Sequence, residues 1–325
     1  MRTARAARAA AATAADLSIP RALVGPTASG KTEASIELAR RLDAEVILVD
    51  SMTVYRGMDV GTAKPGPDER ARIPHHLADV ADPTESFSVA RFQALAREAV
   101  REIAARGRVP LLVGGSGLYF RAAVDDLEFP GTDPGLRGLL NREAGLLGPE
   151  WMHARLADLD PDAAAKIDPE NVRRSVRALE VAALTGRPFS SFAAAWERYP
   201  EGRVVAAGLR AASDVLVARI EVRVEAMLEG GLVDEVRVLL DRGFGPFLTS
   251  SQAIGYLEVV RHLEGRLSLE EAAAEIARRT RALARRQMAW FRRDPRIRWF
   301  DVDRGGPPMD EIEDHLRGAA PGRER

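Results

Sequence analysis

Residues 21–42, RALVGPTASGKTEASIELARRL, run from a short apolar stretch through a Gly-bearing loop into helically spaced apolar positions. Ala22-Leu23-Val24 reads as a strand, Gly25 to Thr32 satisfies G-x-x-x-x-G-K-[ST] in full, and Ile36, Ala39 and Leu42 follow at helical spacing. A phosphate-binding loop requires this order. Its glycines let backbone N–H groups turn inward around phosphate oxygens, and the helix N-terminus adds partial positive charge. Gly25, Pro26, Thr27, Ala28, Ser29, Gly30, Lys31 and Thr32 are therefore candidate ligands of a di- or triphosphate. Lys31 would neutralise the phosphates, and the Thr32 hydroxyl would ligate Mg²⁺. A chance Gly-rich turn would not carry both flanking elements.

Working outward, Val46-Ile47-Leu48-Val49 makes a second strand ending at Asp50, residues 89–105 an amphipathic helix, and residues 109–113 a third strand ending in Gly114-Gly115. Strands alternating with helices of this length predict an α/β fold with a P-loop NTPase-like parallel sheet, flanked by helices on right-handed crossovers. From 122 to 203 the pattern turns helical and polar, which reads as a helical insertion. Strand-like runs return at Val204–Leu209 and Ile297–Phe300. The expected organisation is a disordered extension over 1–20, a P-loop core over 21–121, the insertion over 122–203, a return to the core over 204–300 and a peripheral tail over 301–325. Residues 1–18 are Ala/Arg-rich, with the composition of a transit peptide, and lack the apolar stretch of a secretory signal.

Composition narrows the functional classes. Of 325 residues 46% are hydrophobic and 29% charged, with a net charge of −1, so any nucleic-acid surface must be a local patch. Cysteine is absent, which excludes disulfides, thiolate metal sites and cysteine catalysis. No apolar run approaches the roughly 20 residues of a membrane span. Only three lysines stand among 47 basic residues, and two of them, Lys31 and Lys64, sit in Gly-bearing loops.

Nucleotide-hydrolysing P-loop proteins place an acidic residue at a strand end to hold the metal. Here the third strand ends in Gly114-Gly115-Ser116, and Asp50, followed by Ser51, is the strand-terminal carboxylate near the loop. This weakens an ATPase reading and leaves Asp50 as a general base, a metal-side carboxylate or a helix N-cap. Residues 276–298 carry nine arginines against one acid, Asp294. Arg278, Arg281, Arg285 and Arg292 form one stripe, and Ile276, Leu283 and Trp290 can dock the opposite side on the core. The stripe suits an RNA backbone or, alternatively, pairing with Glu270, Glu271 and Glu275; the second cluster Arg173-Arg174-Arg177 favours a polyanion. His75 and His76, adjacent on an extended segment, point to opposite faces and cannot chelate one metal together.

Several strings resemble the tRNA dimethylallyltransferase family: VGPTASGKT, VDSMTVYRGMDVGTAKP (49–65), IPHHLADVADPTESFSVARF (73–92), PLLVGGSGLYFRA (110–122), RRSVRALEV (173–181), SSQAIGYLE (250–258) and RRTRALARRQMAWFRR (278–293). The resemblance spans roughly residues 21–300 in the family's order. It implies transfer of the dimethylallyl group from dimethylallyl diphosphate to N6 of the adenosine 3′-adjacent to the anticodon, in tRNAs reading codons that begin with U. The P-loop would then hold the prenyl donor's diphosphate. Asp50 would take the N6 proton, while Ser116 and Arg223, the latter from the family's RI-x-x-R pattern, would serve the reacting centre. The adenosine would be extruded from its stack. Asp50, Ser51, Met52, Thr53 and Ser116 would face it, Gln252, Ala253, Ile254, Gly255 and Tyr256 would meet the anticodon loop, and Arg137, Arg173, Arg174, Arg177, Arg278, Arg281 and Arg285 would hold the RNA. The implied cofactor is Mg²⁺ on Thr32. The implied partners are the tRNA anticodon stem-loop and dimethylallyl diphosphate, with no membrane, a monomeric state and a cytoplasmic location. Ser116 departs from the family's frequent threonine but keeps the hydroxyl. The alternatives are an adenylate prenyltransferase acting on AMP, a P-loop small-molecule kinase and a non-enzymatic RNA-binding protein.

Overall fold

The computed structural model describes residues 17–245, 248–302 and 305–318. Most of the Ala/Arg-rich extension and the last residues of the tail lie outside them. The chain divides into two compact units, one formed by Met1–Asp125 with Pro200–Arg325 and the other by Asp126–Tyr199.

The first unit is built on a six-stranded, all-parallel sheet. Its strands are β1 (Arg21–Val24), β2 (Ala44–Val49), β3 (His75–His76), β4 (Val109–Gly114), β5 (Val205–Arg210) and β6 (Ile297–Asp301), in the order β3-β2-β4-β1-β5-β6. β1 and β2 are buried along their whole length, as central parallel strands covered on both faces must be. Register places Val24 and Val49 on either side of Gly114. The residues that follow, Gly25, Asp50 and Gly115, therefore leave the sheet together at its carboxyl edge, where open α/β sheets bind ligands.

The helices of this unit are α1 (Lys31–Arg41), α2 (Pro67–Arg72), α3 (Val89–Ala105) and α4 (Gly117–Val124) before the second unit, and five more after it. α3 shows how sequence makes such an element. Ser88 caps it by accepting from the Arg91 N–H, and Phe92, Ala96, Ala99 and Ile103 form its buried stripe. Phe92 packs on Tyr119 of α4 with ring centroids 4.5 Å apart, which keeps residues 122–125 in the sheet unit. The helical unit is accordingly four residues shorter at each end than the expected 122–203.

That unit comprises α5 (Pro134–Leu147), α6 (Pro149–Leu159), α7 (Pro161–Ala164) and α8 (Val172–Thr185), then a 3₁₀ segment, Phe189–Glu197. Leu140, Met152, Leu156, Val176 and Leu179 form its own core. The remaining helices are α9 (Ser213–Glu229), α10 (Leu232–Asp241), α11 (Tyr256–Leu263), α12 (Leu269–Phe291) and α13 (Met309–Leu316). No described helix is long and apolar enough to cross a membrane.

One expectation needs correction. Residues 309–316 are not a peripheral tail. Ile312 and Leu316 are fully buried in the sheet unit's core beside Leu38, Leu209 and Phe300, and the Leu316 carbonyl accepts from Arg21 Nε at 2.6 Å. The charges of MDEIEDHL hide the helical period of Met309, Ile312 and Leu316. His75–His76, expected on an extended segment, is a short edge strand. His75 Nδ1 bonds the Ile73 carbonyl at 2.7 Å, and His76 Nε2 bonds Glu45 at 2.7 Å.

Candidate active site

The loop between β1 and α1 adopts the backbone its sequence demands. Ala28 and Gly30 have φ of 64° and 85°, an alternation that turns successive amides to one side. Gly30 caps α1, which begins at Lys31. The Lys31 amine folds back on the loop, donating to the Pro26 carbonyl at 2.6 Å and more loosely to Ser29 Oγ at 3.5 Å. Burial, reinforced by the Arg223 charge and partly offset by Asp50, pushes its pKa down to about 7. Arg223 projects from α9. It too is held below its ordinary value, chiefly by burial, against the attraction of Asp50 and Glu33. These two cations share one buried environment, where burial outweighs the attraction of Asp50 and Glu33.

Beside them is a cavity of about 560 Å³, lined among others by Gly30, Lys31, Thr32, Arg219 and Arg223. Arg219 lies one helical turn before Arg223, so both reach the same mouth. Sequence reading named only Arg223, although the i, i+4 spacing within RIEVR was the available signal.

Asp50 follows β2. Its Oδ1 accepts from the Met52 N–H at 2.8 Å and the Thr53 N–H at 3.4 Å, so it caps a turn and not a helix. Those bonds fix the carboxylate through one oxygen and leave Oδ2 to accept elsewhere. Ser116 opens α4 and makes no side-chain cap bond; its N–H donates to the Val49 carbonyl at 3.4 Å, joining the β4 terminus to the residue before Asp50. Tyr119, nearly buried, has its phenol pushed up by burial and by repulsion from Tyr55 and Asp50. The structure thus brings Gly25–Thr32, Asp50, Ser116 and Arg223 to one end of one sheet.

Residues 53–294 match the model described as IPP transferase, and residues 19–74 match that of isopentenyl transferase. The chain belongs to the IPP transferase family. It is 53% identical over 295 residues to the tRNA dimethylallyltransferase of Kineococcus radiotolerans, covering 89% of this chain and 92% of that one. To the tRNA dimethylallyltransferase of Streptomyces coelicolor it is 52% identical, covering 86% and 89%. Among solved structures it resembles the tRNA isopentenylpyrophosphate transferase of Bacillus halodurans, at TM-score 0.66 and 45% identity over 92% of this chain and 95% of that one. It also resembles a eukaryotic dimethylallyltransferase captured acting on tRNA, at TM-score 0.78 and 26% identity over 94% and 81%.

Within this family member the residues expected at the RNA fall into two groups. Ser51 and Met52 are half-buried beside Asp50, whereas Thr53 is buried, with a hydroxyl that has no hydrogen-bond partner among the described residues. Gln252 is exposed and Ile254 half-buried, but Ala253, Gly255 and Tyr256 are interior. The Tyr256 ring lies against Gly61, and its hydroxyl donates to Glu235 Oε1 at 2.7 Å. Glu235 also accepts from the N–H groups of Asp59, Val60 and Gly61, at 2.8, 2.7 and 3.2 Å. Tyr256 therefore braces the loop after Asp50 from below, and in this structure it presents no surface to an RNA.

In the helical unit, Arg137 and Arg177 both pair with the fully buried Glu180, and Arg177 also donates to the carbonyls of Pro130 and Gly131 at 2.6 and 2.9 Å. These guanidiniums neutralise a buried carboxylate, whose pKa they lower against the opposing effect of burial. Arg173 and Arg174 are exposed. On α12, Arg278 makes a bidentate pair with Glu275, Arg281 approaches Glu221 at 3.5 Å, and exposed Arg285 has no such partner among the described residues. Beside that stripe, Arg279 pairs with buried Glu258. Ile276 is buried as expected, while Trp290 packs on Gly117 but stays 39% exposed.

For Mg²⁺, no group of three or more His, Asp or Glu side chains among the described residues forms a cage. Magnesium is commonly held by one or two protein oxygens together with substrate phosphates. The Thr32 hydroxyl lines the cavity and makes no hydrogen bond to a described residue, so it fits that mode.

Proposed function

We propose that this enzyme transfers the dimethylallyl group of dimethylallyl diphosphate to N6 of the adenosine 3′-adjacent to the anticodon in tRNAs reading UNN codons, releasing diphosphate. Membership of the IPP transferase family supports tRNA prenylation as its activity. The observation that carries the chemistry is the shared site: Lys31 of the phosphate loop and Arg223 of α9 line one cavity, with the carboxylate of Asp50 acting electrostatically on both.

The adenine N6 lone pair is delocalised into the ring and attacks well only as a proton leaves. Asp50, held through Oδ1, accepts that proton on its other oxygen while the N6–C bond forms. The allylic C–O bond breaks on the far side, and its electron pair goes to the diphosphate. The loop amides, Lys31 and Arg223 receive that charge, each well-placed donor being worth about 3–4 kcal/mol of barrier. Ser116, joined by its backbone to the strand bearing Asp50, offers a hydroxyl to the bond being broken. The Thr32 hydroxyl would hold Mg²⁺, which would supply further charge neutralisation. Arg174 and Arg285, exposed, are the cations we assign to RNA phosphates.

AMP is the weaker acceptor candidate, because it uses neither the helical unit nor the basic face of α12. In this reading the enzyme works as a cytoplasmic monomer. Labelled dimethylallyl diphosphate offered to tRNA and to AMP side by side tests the assignment. Label in tRNA alone is expected; label in AMP, or ATP hydrolysis with no label anywhere, contradicts it.

A further inference from the structure

We infer that Gln287 is a further diphosphate-binding residue, its carboxamide Nε2 donating a hydrogen bond to a diphosphate oxygen of the prenyl donor. The inference rests on the prenyl-donor reading above. Gln287 lies on α12, far from the P-loop in sequence, and is half-buried. Its Oε1 accepts from the Thr27 N–H at 2.8 Å. A backbone N–H can only donate, so the oxygen of the carboxamide must face Thr27 and the NH₂ group must face the other way.

The other way is the turn after β4. A Cβ at Gly115 would sit 2.5 Å from Gln287 Nε2, 3.2 Å from its Cδ and 3.3 Å from the Gly25 carbonyl oxygen. Only glycine leaves room for the carboxamide there. The side chain is thereby wedged between the first residues of the phosphate loop and Gly114-Gly115-Ser116. One turn further along α12, Trp290 packs on Gly117, where a Cβ would come within 2.6 Å of the indole. The helix is held close to the β4 turn at both positions.

Nε2 carries two hydrogens and has no acceptor among the described residues. Next to it are the first residues of the phosphate loop, whose Lys31 lines the neighbouring cavity with Arg223, and the Gly114-Gly115-Ser116 turn. An acceptor-rich diphosphate supplies what this donor lacks. Gln287 thus holds the loop with one end of its amide and the ligand with the other.

The test uses the full chain with Mg²⁺ and inorganic diphosphate, read by calorimetry, alongside thermal unfolding and affinity for an unmodified anticodon stem-loop. Gln287→Glu keeps an acceptor for the Thr27 N–H but removes the donor and repels the anion. We expect it to weaken diphosphate binding roughly ten- to a hundredfold. Its thermal midpoint should stay within about 2 °C of the parent, and stem-loop affinity within about twofold. Gln287→Met, neutral and of similar length, should lose less diphosphate affinity than Gln287→Glu but still several-fold, and it serves if the glutamate variant unfolds. Diphosphate binding unchanged in either folded variant, or a loss confined to RNA affinity, overturns the assignment. Diphosphate binding that depends on Gln287 in an enzyme that prenylates nothing would instead sink the function proposed above and leave this residue's role standing.

Discussion

Lys31 makes the binding of the prenyl donor depend on pH in a way few phosphate sites do. Burial and the Arg223 charge bring its amine down to about 7, against an ordinary lysine value of 10.5. In the ligand-free protein at pH 8 to 9 the amine is therefore mostly neutral. A bound diphosphate attracts the protonated form and restores its pKa, so binding must take up a proton in that range. Affinity then falls about tenfold for each pH unit above 7, or about 1.4 kcal/mol per unit. Between pH 7 and 9 the expected loss is about fiftyfold, because half the amine is already neutral at pH 7. Dimethylallyl diphosphate titrated by calorimetry from pH 7.5 to 9 reads this cleanly, because its own last ionisation, near 6, is complete. Repeating one pH in buffers of different ionisation enthalpy counts the protons, and close to one per donor bound is expected at pH 8.5 to 9. Lys31→Met should bind weakly and without this slope. A flat affinity for the parent enzyme across the range, or no proton uptake, would refute the electrostatic account of the loop.

Four further expectations follow from contacts elsewhere in the molecule. Tyr256→Phe removes one hydrogen bond to Glu235 and should lower stability by about 1 kcal/mol in denaturant unfolding while leaving anticodon stem-loop affinity unchanged; a selective loss of RNA affinity would put the phenol at the RNA after all. Arg177→Met leaves Glu180 under-neutralised in the helical unit's core and should destabilise that unit by about 3–5 kcal/mol. Arg174→Ala should leave stability alone, weaken tRNA binding uniformly and reduce the salt slope by about one phosphate contact, measured by binding isotherms at several salt concentrations. Leu316→Ala opens a hole in the sheet core and should cost about 2–5 kcal/mol by urea unfolding; a change near zero would restore the view of this segment as a loose tail.

The legible features were those in which local pattern and local function coincide. RALVGPTASGKT carries its strand, its inward-turned amides and its helix in consecutive residues, so its reading needs no distant partner. Asp50 was visible because a strand ends on it. Where the deciding partner lies far along the chain, residue type misleads. Arg177 reads as a phosphate ligand until Glu180 and the 130–131 carbonyls are seen around it. Tyr256 sits in a string expected at the RNA, yet Glu235 and the Gly61 backbone hold it inside. Gln287 drew no attention among nine arginines, because its partner, Thr27, is 260 residues away. In MDEIEDHL four acids mask a three-residue apolar face that only the sheet reveals.

The central claim is that Asp50 takes the N6 proton while the loop, Lys31 and Arg223 hold the departing diphosphate. Single-turnover transfer of label to tRNA by Asp50→Asn, with the donor preloaded at saturation, tests it most directly. The account predicts a chemical step slowed about 10²–10⁴-fold, with dimethylallyl diphosphate and tRNA still bound. Transfer within a few-fold of the parent rate would mean that the proton leaves by another route and that Asp50 only shapes the turn it caps.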